Sequence, residues 1–171
     1  MLPPEERIAT FDQDGTLWVE HPVYSQVVYC LDRVPALVEK DPKLKDVEPF
    51  KTVLSGNREA IAKLSLHDLE KILFATLTGM SVDEFDAEAR KWLTSAKDGR
   101  WKRPYTDLIY QPMLEVMQYL RSSGYRTYIV TGGGQILCEF IATVCTASRP
   151  NRWWVRLLAQ SSDTRRTVRR F

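Results

Sequence analysis

The chain reads as an α/β protein: a parallel sheet, incomplete at its C-terminal side, with a helical domain inserted into it. Three observations predict this. A short apolar run, Arg7-Ile-Ala-Thr-Phe11, ends on Asp12-Gln-Asp-Gly-Thr16. A second run, Tyr125-Arg-Thr-Tyr-Ile-Val-Thr131, ends on Gly132-Gly-Gly134. Between them, from about Val19 to Arg103, the pattern is helical and carries no strand signal. Strand, helix, strand, Gly-rich loop and helix in succession is the order of a parallel α/β sheet.

The elements follow in chain order. The run before Asp12 has the length of a buried strand, and Asp12 to Thr16 is its turn. Val23, Val27, Val28 and Leu31 then fall at helical spacing. Pro35, Pro42 and Pro49 are expected to break the chain into short pieces, since proline lacks the amide and its ring meets the preceding turn. Ser65-Leu-His-Asp68 and Ser81-Val-Asp-Glu84 read as helix starts, the second a capping box. Phe85, Ala89 and Trp92 continue the latter along one face. Pro112 suits a first helical turn, Met113, Val116, Met117 and Leu120 make an apolar stripe, and Gly124 suits a C-terminal cap. Gln135 to Val144 is the next expected helix. The division that results is an α/β core at 1–18 and 105–148, a helical insert at 19–104 and a basic tail at 149–171.

Composition bounds the function classes. The chain is 44% hydrophobic and 27% charged, as expected of a soluble globular protein. No run approaches the roughly 18–20 apolar residues that span a bilayer, and Met1 to Arg7 lacks the apolar stretch of a signal peptide. Cys30, Cys138 and Cys145 form no CxxC pair, which fits a reducing compartment. The expected location is cytoplasmic, with no membrane partner. His21 and His67 are the only histidines, which argues against zinc. His21 is read as structural, His67 as surface or packing, and Trp18 and Tyr24 as pocket wall or core. The net charge of +2 conceals an asymmetry: residues 149–171 carry seven arginines, no lysine and one acid, a net +6 that leaves −4 for the rest.

Asp12 and Asp14 stand just past a strand, at the edge where open α/β sheets bind ligands. An aspartate there can attack a phosphoryl phosphorus, and a second one can protonate the leaving oxygen and then deprotonate water. Mg²⁺ suits such a site, because it takes hard oxygen ligands and bridges carboxylate to phosphate. Gly132-Gly-Gly134 lacks the spacing of a nucleotide loop and is read as amides for a phosphate.

Phe11-Asp-Gln-Asp-Gly-Thr-Leu17 resembles the first motif of haloacid dehalogenase (HAD) superfamily hydrolases, and Ile129-Val-Thr-Gly-Gly133 resembles their second. The resemblance implies a HAD-like Rossmannoid core with residues 19–104 as its cap. It implies Asp12 as nucleophile and Asp14 as acid/base. It also implies Mg²⁺ on the Asp12 carboxylate and the Asp14 carbonyl, and phosphate on Thr131, Gly132 and Gly133. Asp14 favours a phosphatase or phosphomutase over a dehalogenase, and the substrate would be a small phosphorylated metabolite. Trp18, Glu20, Pro22, Leu31-Asp-Arg-Val34, Arg103-Pro-Tyr105 and Tyr110-Gln-Pro-Met-Leu114 resemble a bacterial phosphoserine-phosphatase-like subgroup, in which Glu20 would face a substrate amine.

Two pieces of the superfamily's chemistry are missing after the second motif. No lysine follows Lys102, and neither Glu139 nor Asp163 has the Gly-Asp context of the acidic motif. Trp153-Trp154-Val155 is encoded by TGG TGG GTN and, read two bases later, forces Val-Gly. With permissive codons the shifted reading continues as this subgroup does. The expectation is a frameshift near residue 144 that replaced the C-terminal part. The alternatives are a non-catalytic HAD-like chain or a binding module using the arginine tail, for which specific nucleic-acid binding is not expected: the tail has no motif or amphipathic spacing.

Overall fold

The structure, a computed structural model, describes residues 2–132. Gly133, the helix expected over 135–144 and the tail at 149–171 lie outside the described residues. The architecture is α/β, mostly helical, with a two-stranded parallel sheet among the described residues. The chain divides into two compact units, one holding Met1–Pro22 and the chain from Glu88 onward, the other Val23–Ala87.

In the first unit, strand β1 (Ile8–Phe11) pairs in parallel with β2 (Arg126–Ile129), in the register Ile8 to Arg126 and Phe11 to Ile129. The two strands therefore end at the same edge, and the Val130 amide extends the ladder by donating to the Phe11 carbonyl at 2.8 Å. Helix α6 (Gln111–Ser122) precedes β2, with a proline in its first turn, where the missing amide costs nothing. Its stripe is placed as the spacing predicts: Met117 is buried with Leu17 and Ile129, and Met113 and Phe11 pack onto that cluster. Gly124, at φ +81°, ends the helix in the left-handed region. Helix α5 (Val82–Ser95) begins in the second unit, and its part from Glu88 on belongs to the first, where Leu93 and Ala89 are buried and Trp92 stacks on Tyr105 at 4.9 Å.

The second unit holds α1 (Ser25–Lys40), α2 (Phe50–Leu54), α3 (Arg58–Ala62) and α4 (Leu66–Leu77). One expectation fails here. Pro35 does not break the chain, and α1 runs through it for 16 residues. An interior proline costs about 3 kcal/mol. Against that, α1 packs on α4, burying Tyr29, Cys30 and Val34 on α1 and Ile72 on α4. Each fully buried apolar side chain is worth about 1.5–3 kcal/mol, so the packing wins. Pro42 and Pro49 behave as expected, standing at the starts of a short 3-10 turn and of α2. Both helix starts read from sequence are present. Ser65 and Asp68 cap α4 reciprocally, and the Glu84 carboxylate accepts the Ser81 amide at 2.8 Å while Ser81 Oγ accepts the Glu84 amide at 3.2 Å.

Candidate active site

The loop after β1 is tied up by its own main chain. The Gln13 carbonyl accepts the amides of Thr16, Leu17 and Trp18 at 3.2, 2.8 and 3.0 Å, and the Gly15 amide donates back to the Trp18 carbonyl at 2.7 Å. Such a tight turn needs a left-handed residue, which Gly15 supplies at φ +75°. It needs glycine for a second reason. A Cβ at Gly15 would meet the Glu20 carboxylate at 2.4–2.9 Å, so Glu20 is folded back against the loop that holds both aspartates.

The loop is also clamped from outside. The Val19 amide donates to the Leu108 carbonyl at 3.1 Å, and the Tyr110 amide to the Leu17 carbonyl at 2.9 Å. Trp18 bridges to Ile109 between these bonds and is completely buried. Trp18 is therefore core. Tyr24 is about half exposed. His21, read as structural, is solvent-exposed with its Nε2 3.4 Å from a Glu20 oxygen, and His67 lies on the surface as expected.

Asp12 is exposed immediately past β1, with one carboxylate oxygen accepting the Gln13 amide at 2.7 Å. Asp14 differs in kind. It is partly buried, and its Oδ1 is shut off from solvent without a hydrogen-bond partner. Burial first, then the neighbouring Asp12 and Glu20 carboxylates, push its carboxyl up to about 6. Thr131 is buried and Gly132 exposed just past β2. Strand register thus brings Asp12 and Thr131 to the same sheet edge, with Asp14 and Glu20 on the loop of β1.

Electrostatically, the Asp12 and Glu20 carboxylates both disfavour a charge on Asp14, and a divalent ion nearby would relieve that repulsion. The donor set is short, since among the described residues no group of three or more His, Cys, Asp or Glu side chains is arranged to hold a metal. What the loop does offer is hard carboxylate oxygen, the donor type that Mg²⁺ takes.

Gln13 escaped the reading of the sequence, where it is filler between two aspartates. Its carbonyl organises the loop, and its side chain is buried with Oε1 lacking a partner. A main-chain role leaves no side-chain signal, so nothing in the residue type announces it. No curated protein matches the chain. The model of the haloacid dehalogenase-like hydrolase family matches residues 9–160, most of the chain, and the chain belongs to that family.

Proposed function

We propose that the site is that of a Mg²⁺-dependent phosphomonoesterase of the phosphoserine-phosphatase-like kind, acting on a small phosphorylated metabolite through an aspartyl-phosphate. The observation that carries this reading is the contrast between the two aspartates. Asp12 is open and Asp14 holds its proton up to about 6, as a nucleophile and a general acid require.

In the proposed sequence an Asp12 oxygen attacks phosphorus while the ester oxygen leaves, taking the proton of Asp14. Asp14, now a carboxylate, takes a proton from water as that water's oxygen attacks the phosphoryl group. Inorganic phosphate departs and Asp12 is regenerated. Thr131 and the amide of Gly132 would hold the phosphoryl oxygens, with Gly133 next to them in sequence, and Glu20 would face a cationic group of the substrate. Mg²⁺, held by Asp12 and the Asp14 carbonyl, would supply charge neutralisation when bound.

The lysine that offsets phosphate charge in this superfamily has no counterpart after Lys102 in this sequence. The test therefore needs two readouts. Magnesium-dependent hydrolysis of p-nitrophenyl phosphate should fall about a thousandfold or more, to background, in Asp12→Asn. Beryllium trifluoride, an acyl-phosphate mimic, should raise the melting temperature only with Mg²⁺ present and only when Asp12 is intact. A stabilisation that survives Asp12→Asn sinks the assignment. A mimic that binds without any measurable hydrolysis supports the second reading, a non-catalytic family member.

A further inference from the structure

The segment from Lys97 to Pro104 closes as a small hairpin, and its tip is built around one carboxylate. Lys97 bridges to Pro104, the Asp98 amide donates to the Arg103 carbonyl at 2.9 Å, and the Lys102 amide donates to the Asp98 carbonyl at 3.0 Å. Asp98 is 5% exposed, and its Oδ1 accepts the amides of Arg100 and Trp101 at 2.8 and 2.7 Å. Lys102 adopts φ +57°, a left-handed conformation that this bonding imposes on a residue with a side chain. The loop is therefore held in one shape from within.

Its outward groups are of another kind. Lys97, Arg100, Trp101, Lys102 and Arg103 are all exposed, Trp101 by 54%, and the Arg100 guanidinium lies 4.5 Å over the Trp101 ring. Four cations stand against a single acid that is consumed by backbone amides, leaving the tip at net +3. Among the described residues none of the four is in an ion pair. A shape fixed from inside, with an aromatic ring and unpaired cations presented outward, is a surface arranged for an anionic partner.

We propose that this loop is a docking point for an anionic lipid surface. The size of the feature decides among partners. Specific protein interfaces take about 20–30 residues a side, far more than an eight-residue hairpin supplies. Single-stranded nucleic acid follows a groove and stacks on open aromatic faces, whereas this is a run of exposed residues with one face of its ring covered by Arg100. A lipid interface needs only what is present, an amphipathic ring at headgroup depth with cations around it to meet phosphates. Lying on a surface is distinct from crossing it, and among the described residues no helix is long and apolar enough to cross a membrane.

The experiment is co-sedimentation of the full chain with vesicles of phosphatidylcholine alone and of phosphatidylcholine mixed equally with phosphatidylglycerol. Binding is expected only to the mixed vesicles, and salt should reverse it. Each cation near an anionic surface contributes about fivefold to partitioning, so Arg100→Gln, Lys102→Gln and Arg103→Gln combined should weaken binding on the order of a hundredfold. These side chains are exposed, so circular dichroism should be unchanged. Asp98→Ala separates shape from charge. It removes a negative charge, so mere electrostatic attraction would tighten binding, whereas a preorganised tip is loosened and should bind more weakly. The arginines at 149–171 provide a background present in every variant, and replacing them with glutamine should leave the loop's effect in place. If the triple variant sediments like the parent, or if the loop-dependent binding is to a single-stranded oligonucleotide and not to vesicles, the proposal is wrong.

Discussion

The helical unit uses its polar groups to finish its own chain ends, whereas the sheet unit leaves polar groups without partners beside its strand ends. In the former, Asn57 Oδ1 accepts the amides of Glu59 and Ala60, Ser65 and Asp68 satisfy each other's ends, and Glu48 accepts the Thr52 amide and hydroxyl. Its buried thiol, Cys30, is pushed up to about 11 by burial, against a smaller pull from Thr76, and is inert at neutral pH. In the latter, Asp14 Oδ1, Gln13 Oε1 and Trp18 Nε1 are buried without a hydrogen bond within one six-residue loop. Such groups cost stability. Under the proposed function, a bound ligand would supply what is missing there.

Four measurements press on this contrast. The largest effect is expected from Ile72→Ala, which empties a fully buried position between α1 and α4 and should cost about 3 kcal/mol in urea unfolding. The loss should leave the pH response of Asp14 untouched, and a change in that response would show that the two regions do not behave separately.

Next comes Gly15→Ala. The residue is left-handed and pressed by Glu20, so about 2 kcal/mol or more is expected. Gly79→Ala, left-handed at φ +83° with open space around it, should cost only about 1 kcal/mol. Equal losses would mean that Glu20 does not lie against the loop after β1.

Third is Asp14→Asn. The folded carboxyl titrates near 6 against 3.8 in the ordinary state, so the fold favours its protonated form. Its stabilising share is complete below about pH 4 and is lost as pH rises through 6. Above that, in the absence of divalent cations, the asparagine variant should be more stable than the parent by about 1 kcal/mol, a value reduced for partial solvent screening. Thermal melts at pH 5 and pH 8 test this, and a variant less stable than the parent at pH 8 contradicts it.

The smallest effect is expected from Ser65→Ala, which removes one capping bond at an exposed helix start and should cost about 0.5 kcal/mol. A loss several times larger would show that α4 depends on its cap more than on its packing against α1.

How much of this was readable in the residues depends on how local the cause is. Ser65 and Ser81 begin helices because a side chain meets an amide three residues away, and both were legible. Gly124 ends α6 for an equally local reason. The strands at Ile8 and Arg126 were visible as apolar runs, but their pairing across more than 100 residues was inferred from the order of elements. Pro35 misled, because the sequence shows the cost of an interior proline and hides the α1–α4 packing that exceeds it. At the site, Asp12, Asp14 and Thr131 stood out through motif spacing. The clamp of Leu17–Val19 on Leu108–Tyr110 did not, because both sides bond through main-chain atoms that every residue has.

The orphaned oxygen of Asp14 also sets a trap for anyone improving this protein by selection. A library screened for heat resistance without ligand would favour replacements at position 14, since almost any neutral side chain removes a buried, repelled charge. With Asp14 as the general acid we propose, the survivors would be hardier and inactive. In the proposed mechanism this partly buried carboxyl is the general acid, and there the fold gives up stability for the sake of the reaction.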